Sequence, residues 1–153
     1  MRKTLQQRKE QGFTIVEVLI VLAIAGLIIL VVLLAVPALK RNGRNSAMKS
    51  DASGVSGGIA EFQSNNDGAM PTSVAGTGTV AISGAAGTTA TNAKVQGSTV
   101  VNSAANHTPP VGTISVDLQD RCDSTGNANV RAAAVWYAIE NSSGTPQYKC
   151  IDN

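Results

Sequence analysis

The stretch that decides the fold runs from residue 11 to residue 36 and reads QGFTIVEVLIVLAIAGLIILVVLLAV. Its larger part, residues 18–36, consists of nineteen consecutive uncharged, apolar residues. At a rise of about 1.5 Å per residue, such a helix is roughly 28 Å long, close to the thickness of the hydrocarbon core of a bilayer. The sequence therefore predicts one helix that can span a membrane.

A basic segment precedes this apolar run. Residues 1–12 carry four basic side chains and one acidic side chain, Glu10. A secretory signal peptide has the same order of segments, and Ala23-Ile24-Ala25 would supply the small residues of its cleavage site. Two features count against such a signal. Apolar residues continue well past Ala25, and a carboxylate, Glu17, lies near the start of the run, where ionisable groups are costly.

Residues 11–20, which read QGFTIVEVLI, resemble the leader junction of type IV prepilins and pseudopilins. In that family a short basic leader ends in Gly, the next residue is Phe, and Glu is the fifth residue after the cut. The resemblance implies that a membrane peptidase cuts between Gly12 and Phe13 and methylates the new amino group of Phe13. Residues 1–12 would then be a leader peptide that is removed. Because glycine has no side chain, Gly12 also allows an extended backbone to enter a peptidase cleft.

Glu17 is the acidic residue of the apolar segment that remains after this cut. A new ammonium group at Phe13 would lie one helical turn away, and an ion pair would offset the cost of a carboxylate in lipid. Glu17 can pair with the Phe13 ammonium group of its own chain. The family resemblance instead implies that it pairs with the Phe13 ammonium group of a neighbouring subunit, and such a pair would set the axial register of the assembly. The alternative is a carboxylate favoured at the helix N-terminus by the helix dipole alone.

Composition alone says little about the function. Twelve Lys+Arg against ten Asp+Glu give a net charge of +2, and aromatic residues make up 3%. Neither a strongly basic nucleic-acid-binding protein nor an aromatic-rich core is indicated.

The positive-inside rule leaves the orientation of the span in the membrane undecided, because Lys40, Arg41, Arg44 and Lys49 after the span match the basic residues before it. The leader resemblance and the C-terminal cysteines place residues 1–12 inside the cell and the domain outside.

An amphipathic segment follows the span. Pro37 removes one helical hydrogen bond, and we expect it to kink the helix rather than end it. Apolar residues then recur at helical spacing and predict a half-helix over residues 37–66 that packs on a globular domain. This apolar stripe consists of Met48, Ala52, Val55, Ile59 and Phe62. The run NNDG at 65–68 predicts the helix end and a turn. The segment is also similar, more loosely, to the second half of the pilin helix.

Residues 67–153 are predicted to form a β-rich domain. From residue 69 to residue 116 the only charged residue is Lys94, a composition that also permits disorder. We favour short strands, because β-branched clusters at 79–82 and 98–101 are bounded by glycines. Residues 111–118 and 130–139 predict stronger strands. The expected fold class is α+β, with one long N-terminal helix packed on a small antiparallel sheet.

The two cysteines, Cys122 and Cys150, enclose the strongest predicted strand. An even pair on an exported domain with a modest core favours a disulfide, and closing this loop would stabilise the fold by roughly 3–4 kcal/mol in the chain-entropy model. A metal site at the pair is disfavoured because two cysteines with no histidine nearby in the sequence are too few ligands. The family resemblance agrees, since a C-terminal disulfide loop recurs in pilins.

Catalytic chemistry is not indicated. The only histidine, His107, has no cysteine or carboxylate close in the sequence, and no nucleophile elbow, P-loop or dinucleotide fingerprint is present. Asp117, Asp120 and Asp123 offer oxygen ligands for Ca²⁺, but their spacing favours a solvated acidic loop. Residues 106–108 and 141–143 match the glycosylation sequon, which is frequent by chance. We expect no enzyme activity and no cofactor.

The family resemblance implies a structural subunit of a type IV pilus. Its partners would be further copies of the chain in a helical filament, a prepilin peptidase and methyltransferase, and the pilus assembly platform with its ATPase. The precursor would lie in the cytoplasmic membrane, and the mature subunit in an extracellular pilus used for adhesion, motility or DNA uptake. Two alternatives stay open: a pseudopilin of a type II secretion or competence machine, and a single-pass surface-anchored domain that does not polymerise.

Overall fold

A computed structural model describes residues 12–123 and 131–153 of the chain. These residues form a helix, α1 Ile15–Asn65, and then seven strands. The strands are β1 Ser73–Thr77, β2 Thr79–Ser83, β3 Thr91–Lys94, β4 Val100–Ser103, β5 Thr113–Leu118, β6 Ala133–Glu140 and β7 Pro146–Asp152. The protein therefore has the α+β fold class that the sequence predicts. The chain divides into two compact units. The first ends at Ala38, and the second runs from Leu39 to Asn153.

Helix α1 extends over 51 residues and contains Pro37. Helical structure continues on both sides of this proline, as expected when proline removes one backbone hydrogen bond without ending the helix. In the first unit, an 18-residue apolar window of α1 has none of its residues buried. By length and composition this part of the helix can cross a membrane.

The second half of α1 covers one face of the sheet through the predicted apolar stripe. Met48, Ala52, Val55, Ile59 and Phe62 are each at most 6% exposed. They form one core with apolar side chains of the strands, among them Val80, Ile114 and Val135. A helical period of 3.6 residues brings the stripe onto one face, and burial of that face holds the helix to the sheet. This prediction is confirmed.

The helix ends where the sequence predicts. Asp67 and Gly68 have positive φ angles of 52° and 80°, and the Gly68 amide donates a 2.7 Å hydrogen bond to the Gln63 carbonyl. A left-handed backbone conformation at this point supplies hydrogen-bond donors to the last carbonyl groups of the helix and turns the chain toward the sheet. Glycine and aspartate tolerate this conformation, which explains the choice of residues.

The strands form one sheet in the order β3-β2-β1-β4-β5-β6-β7. The expectation of an antiparallel sheet is correct for every neighbouring pair except β4 and β5, which run parallel, with Val101 opposite Ile114. Parallel neighbours need a connection that returns the chain to the same end of the sheet, and residues 104–112 provide it. The residue pattern of a strand does not show whether it runs parallel or antiparallel to its neighbour. The parallel direction of β4 and β5 could therefore not be predicted from the sequence.

Residues 69–116 contain strands rather than a disordered segment, which confirms the favoured interpretation. Three strands were not predicted from the sequence. Strand β1 contains Gly76, β3 reads TNAK, and β7 begins at Pro146 and has mostly exposed side chains. None of these has a continuous run of β-branched residues, so pairing with a neighbour decides their conformation. The predicted strand at 130–139 is β6, although Val130 lies outside the described residues.

A buried carboxylate on α1 holds the connection between β3 and β4. Asp51 is 5% exposed and accepts hydrogen bonds from the Gln96 amide at 3.1 Å and from the Thr99 hydroxyl at 2.6 Å. Buried polar groups are costly unless they are paired, so these bonds make the position of the 96–99 turn specific. The contact joins residues 48 positions apart.

Candidate functional site

The predicted cleavage junction lies just before the first turn of α1. Gly12, Phe13 and Thr14 precede the helix and have no regular secondary structure, and Phe13 is 88% exposed. A Cβ atom added at Gly12 would meet no described heavy atom within 4 Å. The described part of the structure therefore does not itself require glycine at this position. A requirement for Gly12 would come from an enzyme that binds the junction.

Glu17 is part of a capping box at the start of α1. Its Oε2 accepts hydrogen bonds from the Thr14 amide at 2.9 Å and from the Thr14 hydroxyl at 2.8 Å, while the Glu17 amide donates to Thr14 Oγ1 at 3.3 Å. This reciprocal Thr-x-x-Glu arrangement satisfies amide groups that the first helical turn leaves unpaired. The sequence contains this signature at 14–17, a local role for Glu17 in addition to the ion pair and the helix dipole considered above.

The apolar run after Glu17 presents its side chains outward around the helix. Leu19, Leu22, Leu27 and Leu33 are between 59% and 67% exposed. Exposed apolar surface of this extent is unfavourable in water, so this segment requires a cover of lipid or of other apolar helices. The described residues of the first unit do not supply one.

A charged pair connects α1 to the end of β6 in the second unit. Arg44 Nε and Nη2 donate to the two carboxylate oxygens of Glu140 at 2.9 and 2.5 Å. Asn45 forms two further hydrogen bonds, with the backbone carbonyl and amide of Glu140. The hydrogen bond and the charge of Arg44 lower the pKa of Glu140, and the same contact raises the pKa of Arg44. Because the Arg44 side chain is 56% exposed, solvent screens the pair.

Cys122 and Cys150 form a disulfide, with their Cα atoms 5.6 Å apart. The bond links the segment after β5 to the edge strand β7, where Cys150 lies opposite Trp136 of β6. The Cys122 amide also donates to Asp152 Oδ1 at 2.6 Å. The described residues contain no free cysteine.

His107 meets carboxylates that are distant in the sequence. Its Nε2 lies 3.3 Å from Asp117 Oδ2 and 3.8 Å from Asp120 Oδ2, and its ring stacks on Trp136. Asp117 and Asp120 lie near Asp123 in the sequence, and in the structure they form a group with His107. Sequence spacing gave no signal for this cluster, because residues 104–112 bring His107 back over β5.

Both glycosylation sequons have a structural explanation. Asn106 Oδ1 accepts from the Thr108 amide at 3.0 Å, and Asn141 Oδ1 accepts from the Ser143 amide at 2.8 Å. Each asparagine thus closes an Asx turn with the residue two positions later. A Ser or Thr at that position adds a hydroxyl bond to the same oxygen, so the turn geometry accounts for the triplet pattern.

Comparison with known proteins identifies the N-terminal segment. Residues 7–33 match the family model described as the prokaryotic N-terminal methylation motif. No curated protein and no solved structure matches the chain. A class III leader of this kind implies processing by a prepilin peptidase, and with the apolar helix it fits a membrane-anchored precursor. The match supports recognition of the chain as a type IV pilin-like or pseudopilin-like protein.

Proposed function

We propose that this chain is a structural subunit of a type IV pilus. The precursor is cut between Gly12 and Phe13, Phe13 is N-methylated, and the mature chain polymerises through its N-terminal helix. The observation that carries the proposal is the combination of the methylation motif at 7–33 with a helix whose apolar window has no buried residue. A cut after Gly12, on the N-terminal side of the apolar helix, leaves this helix attached to the domain, as a filament subunit requires.

Each part of the chain has its own role in this proposal. Residues 1–12 are a removable leader, 13–36 a membrane and assembly helix, and 37–66 an amphipathic half-helix. Residues 67–153 are a β-rich domain displayed outside the cell, with Cys122 and Cys150 closing its C-terminal loop.

Assembly exchanges lipid for identical helices around the apolar segment. Since lipid tails and apolar side chains are similar in polarity, close packing and polar contacts must direct this association. Ala23, Ala25 and Gly26 allow close approach because their side chains are small or absent. A Cβ at Gly26 would meet nothing within 4 Å, so the described residues do not themselves require glycine there. A head-to-tail contact that does not close on itself gives a filament. Glu17 directs the axial register by pairing with the Phe13 ammonium of a neighbouring subunit.

The processing step is tested by mass spectrometry of the N-terminal peptide from surface material. We expect a chain that begins at N-methylated Phe13. Gly12→Leu should leave the leader attached, since a peptidase cleft that fits glycine excludes a larger residue. Ala25→Leu serves as the matched control, because it destroys the site of a secretory signal peptidase and leaves the Gly12 junction intact. Both variants are read in the membrane fraction, since Ala25 also lies in the assembly segment. A start at Gly26, or an intact leader in the wild type, would refute the processing proposal.

Filament formation is tested separately by shearing surface material and examining it by electron microscopy. Filaments composed of this chain support the pilus role. Short structures confined to the cell envelope would instead identify a pseudopilin of a secretion or competence machine. Monomers alone would identify an anchored domain that does not polymerise. Adhesion, twitching and DNA-uptake assays of a deletion strain would then assign the role of the filament.

A further inference from the structure

Three side chains of types that can ligate metals, from different parts of the second unit, lie close together beside strand β5. His107 belongs to the 104–112 connection, Asp117 to strand β5, and Asp120 to the segment just after it. One ligand atom from each lies within 4.8 Å of the other two. The sequence separations of 10 and 3 residues require the β4–β5 connection to fold back before these groups can meet. The cluster is thus a product of the tertiary fold.

The charges in the cluster do not balance. The Asp117 and Asp120 side chains are each only 15% exposed. Within the described residues, His107 is the basic side chain that lies within ion-pair distance of either carboxylate. Even a protonated imidazole compensates one of the two negative charges. Two carboxylates held together with low exposure favour an additional positive charge at the same place.

The ligand atoms are held in position before any ion arrives. The His107 ring stacks on Trp136, with 4.6 Å between ring centroids and an angle of 24° between the planes. Asp120 Oδ1 accepts a 2.7 Å hydrogen bond from the Arg121 amide, and Oδ2 is the oxygen closer to His107. The Ser115 hydroxyl donates to the Ala104 carbonyl at 2.6 Å and anchors the start of the connection. Such supporting contacts orient metal ligands in proteins.

We propose that His107, Asp117 and Asp120 form a binding site for a divalent transition-metal ion of the Zn²⁺ class. One imidazole nitrogen and two carboxylate oxygens suit Zn²⁺, whereas Ca²⁺ and Mg²⁺ prefer oxygen ligands alone. With metal–ligand bonds of 2.0–2.2 Å, tetrahedral neighbours lie about 3.3–3.6 Å apart. The Nε2–Oδ2 distances of 3.3 and 3.8 Å are close to this spacing. Three protein ligands leave a fourth position for water or for a ligand from another molecule.

The bound ion would join the 104–112 connection to the end of β5. Cys122 lies two residues after Asp120, so this link is adjacent to the disulfide of the displayed domain. The ion would then stabilise the parallel β4–β5 pair and the start of the disulfide loop together. This role does not depend on whether the chain polymerises.

The single tryptophan provides a direct measurement, because Trp136 stacks on one of the ligands. The experiment uses the full chain in detergent, treated with EDTA and then dialysed. Titration with Co²⁺, which is paramagnetic, should quench Trp136 fluorescence to saturation at one equivalent and give visible absorption typical of a low-coordinate site. Zn²⁺ should reverse both signals by competition, and Zn²⁺ alone should raise the thermal unfolding midpoint.

Two sets of variants test the assigned ligands. His107→Phe keeps an aromatic ring against Trp136 and removes the nitrogen ligand, and Asp117→Asn with Asp120→Asn removes both carboxylates and keeps the histidine. Each should weaken Co²⁺ binding at least about tenfold. Asp67→Asn, which neutralises an exposed aspartate at the end of α1, should bind Co²⁺ like the wild type. Far-ultraviolet circular dichroism verifies that each variant is folded.

The proposal is overturned if Co²⁺ quenching does not saturate in the wild type, or if both ligand variants retain wild-type affinity. It is also overturned if Ca²⁺ displaces Co²⁺ as effectively as Zn²⁺ does, because the nitrogen ligand would then have no influence on metal choice. If His107→Phe still binds Co²⁺ and the aspartate variant does not, the proposal is likewise overturned, because the site would then consist of carboxylates without the histidine.

Discussion

At the scale of single residues, Glu17 has a local role in the structure and a second role in our proposal. Its carboxylate completes the capping box with Thr14, and this role needs an acceptor oxygen but no charge. Pairing with a neighbouring ammonium group needs the charge. A substitution by Leu removes both roles at once and cannot separate them.

We predict that Glu17→Gln strongly reduces filament assembly while the subunit is still processed normally. Glutamine keeps the acceptor for Thr14 and removes the charge, so an ammonium group in the filament core stays unpaired, which is costly. Filament yield in sheared material should fall at least about tenfold, as it should for Glu17→Leu. Quantitative immunoblotting of filament and membrane fractions measures this ratio.

Thr14→Ala is the matched control for this experiment. It removes the hydroxyl of the capping box and leaves the Glu17 charge in place. We expect processed Thr14→Ala subunits to assemble. If Glu17→Gln assembles as well as the wild type and Thr14→Ala does not, helix capping explains Glu17, and its role in register is wrong.

At the scale of elements, two adjacent glycines of α1 have different surroundings. A Cβ at Gly58 would lie 2.7 Å from Ile82 Cδ1 and 3.0 Å from Ala93 Cβ, whereas a Cβ at Gly57 would meet nothing within 4 Å. Gly58 therefore allows the helix to approach β2 and β3 closely. Gly57 faces solvent, and there the missing side chain only lowers helix propensity.

This difference predicts opposite effects of the same substitution. Gly58→Ala should destabilise the protein by roughly 1–3 kcal/mol through overpacking, and Gly57→Ala should stabilise it by up to about 1 kcal/mol through helix propensity. Urea unfolding of each variant in detergent, followed by Trp136 fluorescence, gives the free energies. Equal effects of the two substitutions would mean that helix propensity, and not the approach to the sheet, decides both positions.

At the scale of the whole molecule, the disulfide and the Arg44–Glu140 pair connect distant parts of the second unit. The disulfide joins residues 28 positions apart, and the ion pair joins α1 to a strand 96 positions later. The disulfide restricts the conformations of the unfolded chain. The ion pair connects two elements of the folded state that no local sequence pattern would bring together.

We predict that alkylation of the protein in urea without a reductant labels neither Cys122 nor Cys150, and that prior reduction exposes both. Unfolding removes protection by burial, so absence of label reports the bond itself. Replacing both cysteines by serine should lower the free energy of unfolding by roughly 3–4 kcal/mol in the chain-entropy model. Mass spectrometry measures the label, and full labelling before reduction would refute the disulfide.

The Arg44–Glu140 pair predicts a pH dependence of stability. Arg44 lowers the pKa of Glu140 in the folded state below its ordinary value of 4.5, so the pair stabilises the fold above that pH. The contribution is lost as pH falls through the lowered pKa. Glu140→Gln should therefore be less stable than the wild type at pH 7, and the difference should vanish at strongly acidic pH. The effect should be small and should decrease with salt, because the pair is partly exposed.

Urea unfolding at both pH values measures this difference. Glu61→Gln is the control, since Glu61 is an exposed carboxylate of α1 for which the described residues supply no salt-bridge partner. Because glutamine leaves the backbone bonds of residue 140 to Asn45 in place, the comparison isolates the side-chain pair. A difference that persists unchanged at low pH would assign the effect to packing instead of charge.

The sequence by itself determined the features that depend on local patterns. These features are the methylation motif at 7–33, the apolar run, the stripe from Met48 to Phe62 and the turn at 65–68, and all of them follow from residue types at short spacing. Helical periodicity and turn chemistry act over a few residues, so their physical causes are visible in the sequence. The capping box of Thr14 and Glu17 belongs to the same class.

The tertiary structure alone decided which distant residues meet. Strand patterns do not encode direction or neighbours, so the parallel β4–β5 pair and the weakly patterned strands β1, β3 and β7 appear only in the sheet. The same holds for the contact of Gly58 with Ile82 and for the buried bonds of Asp51. His107 joins Asp117 and Asp120 because residues 104–112 fold back over β5, and such contacts depend on the free energy of the whole domain and not on spacing along the chain.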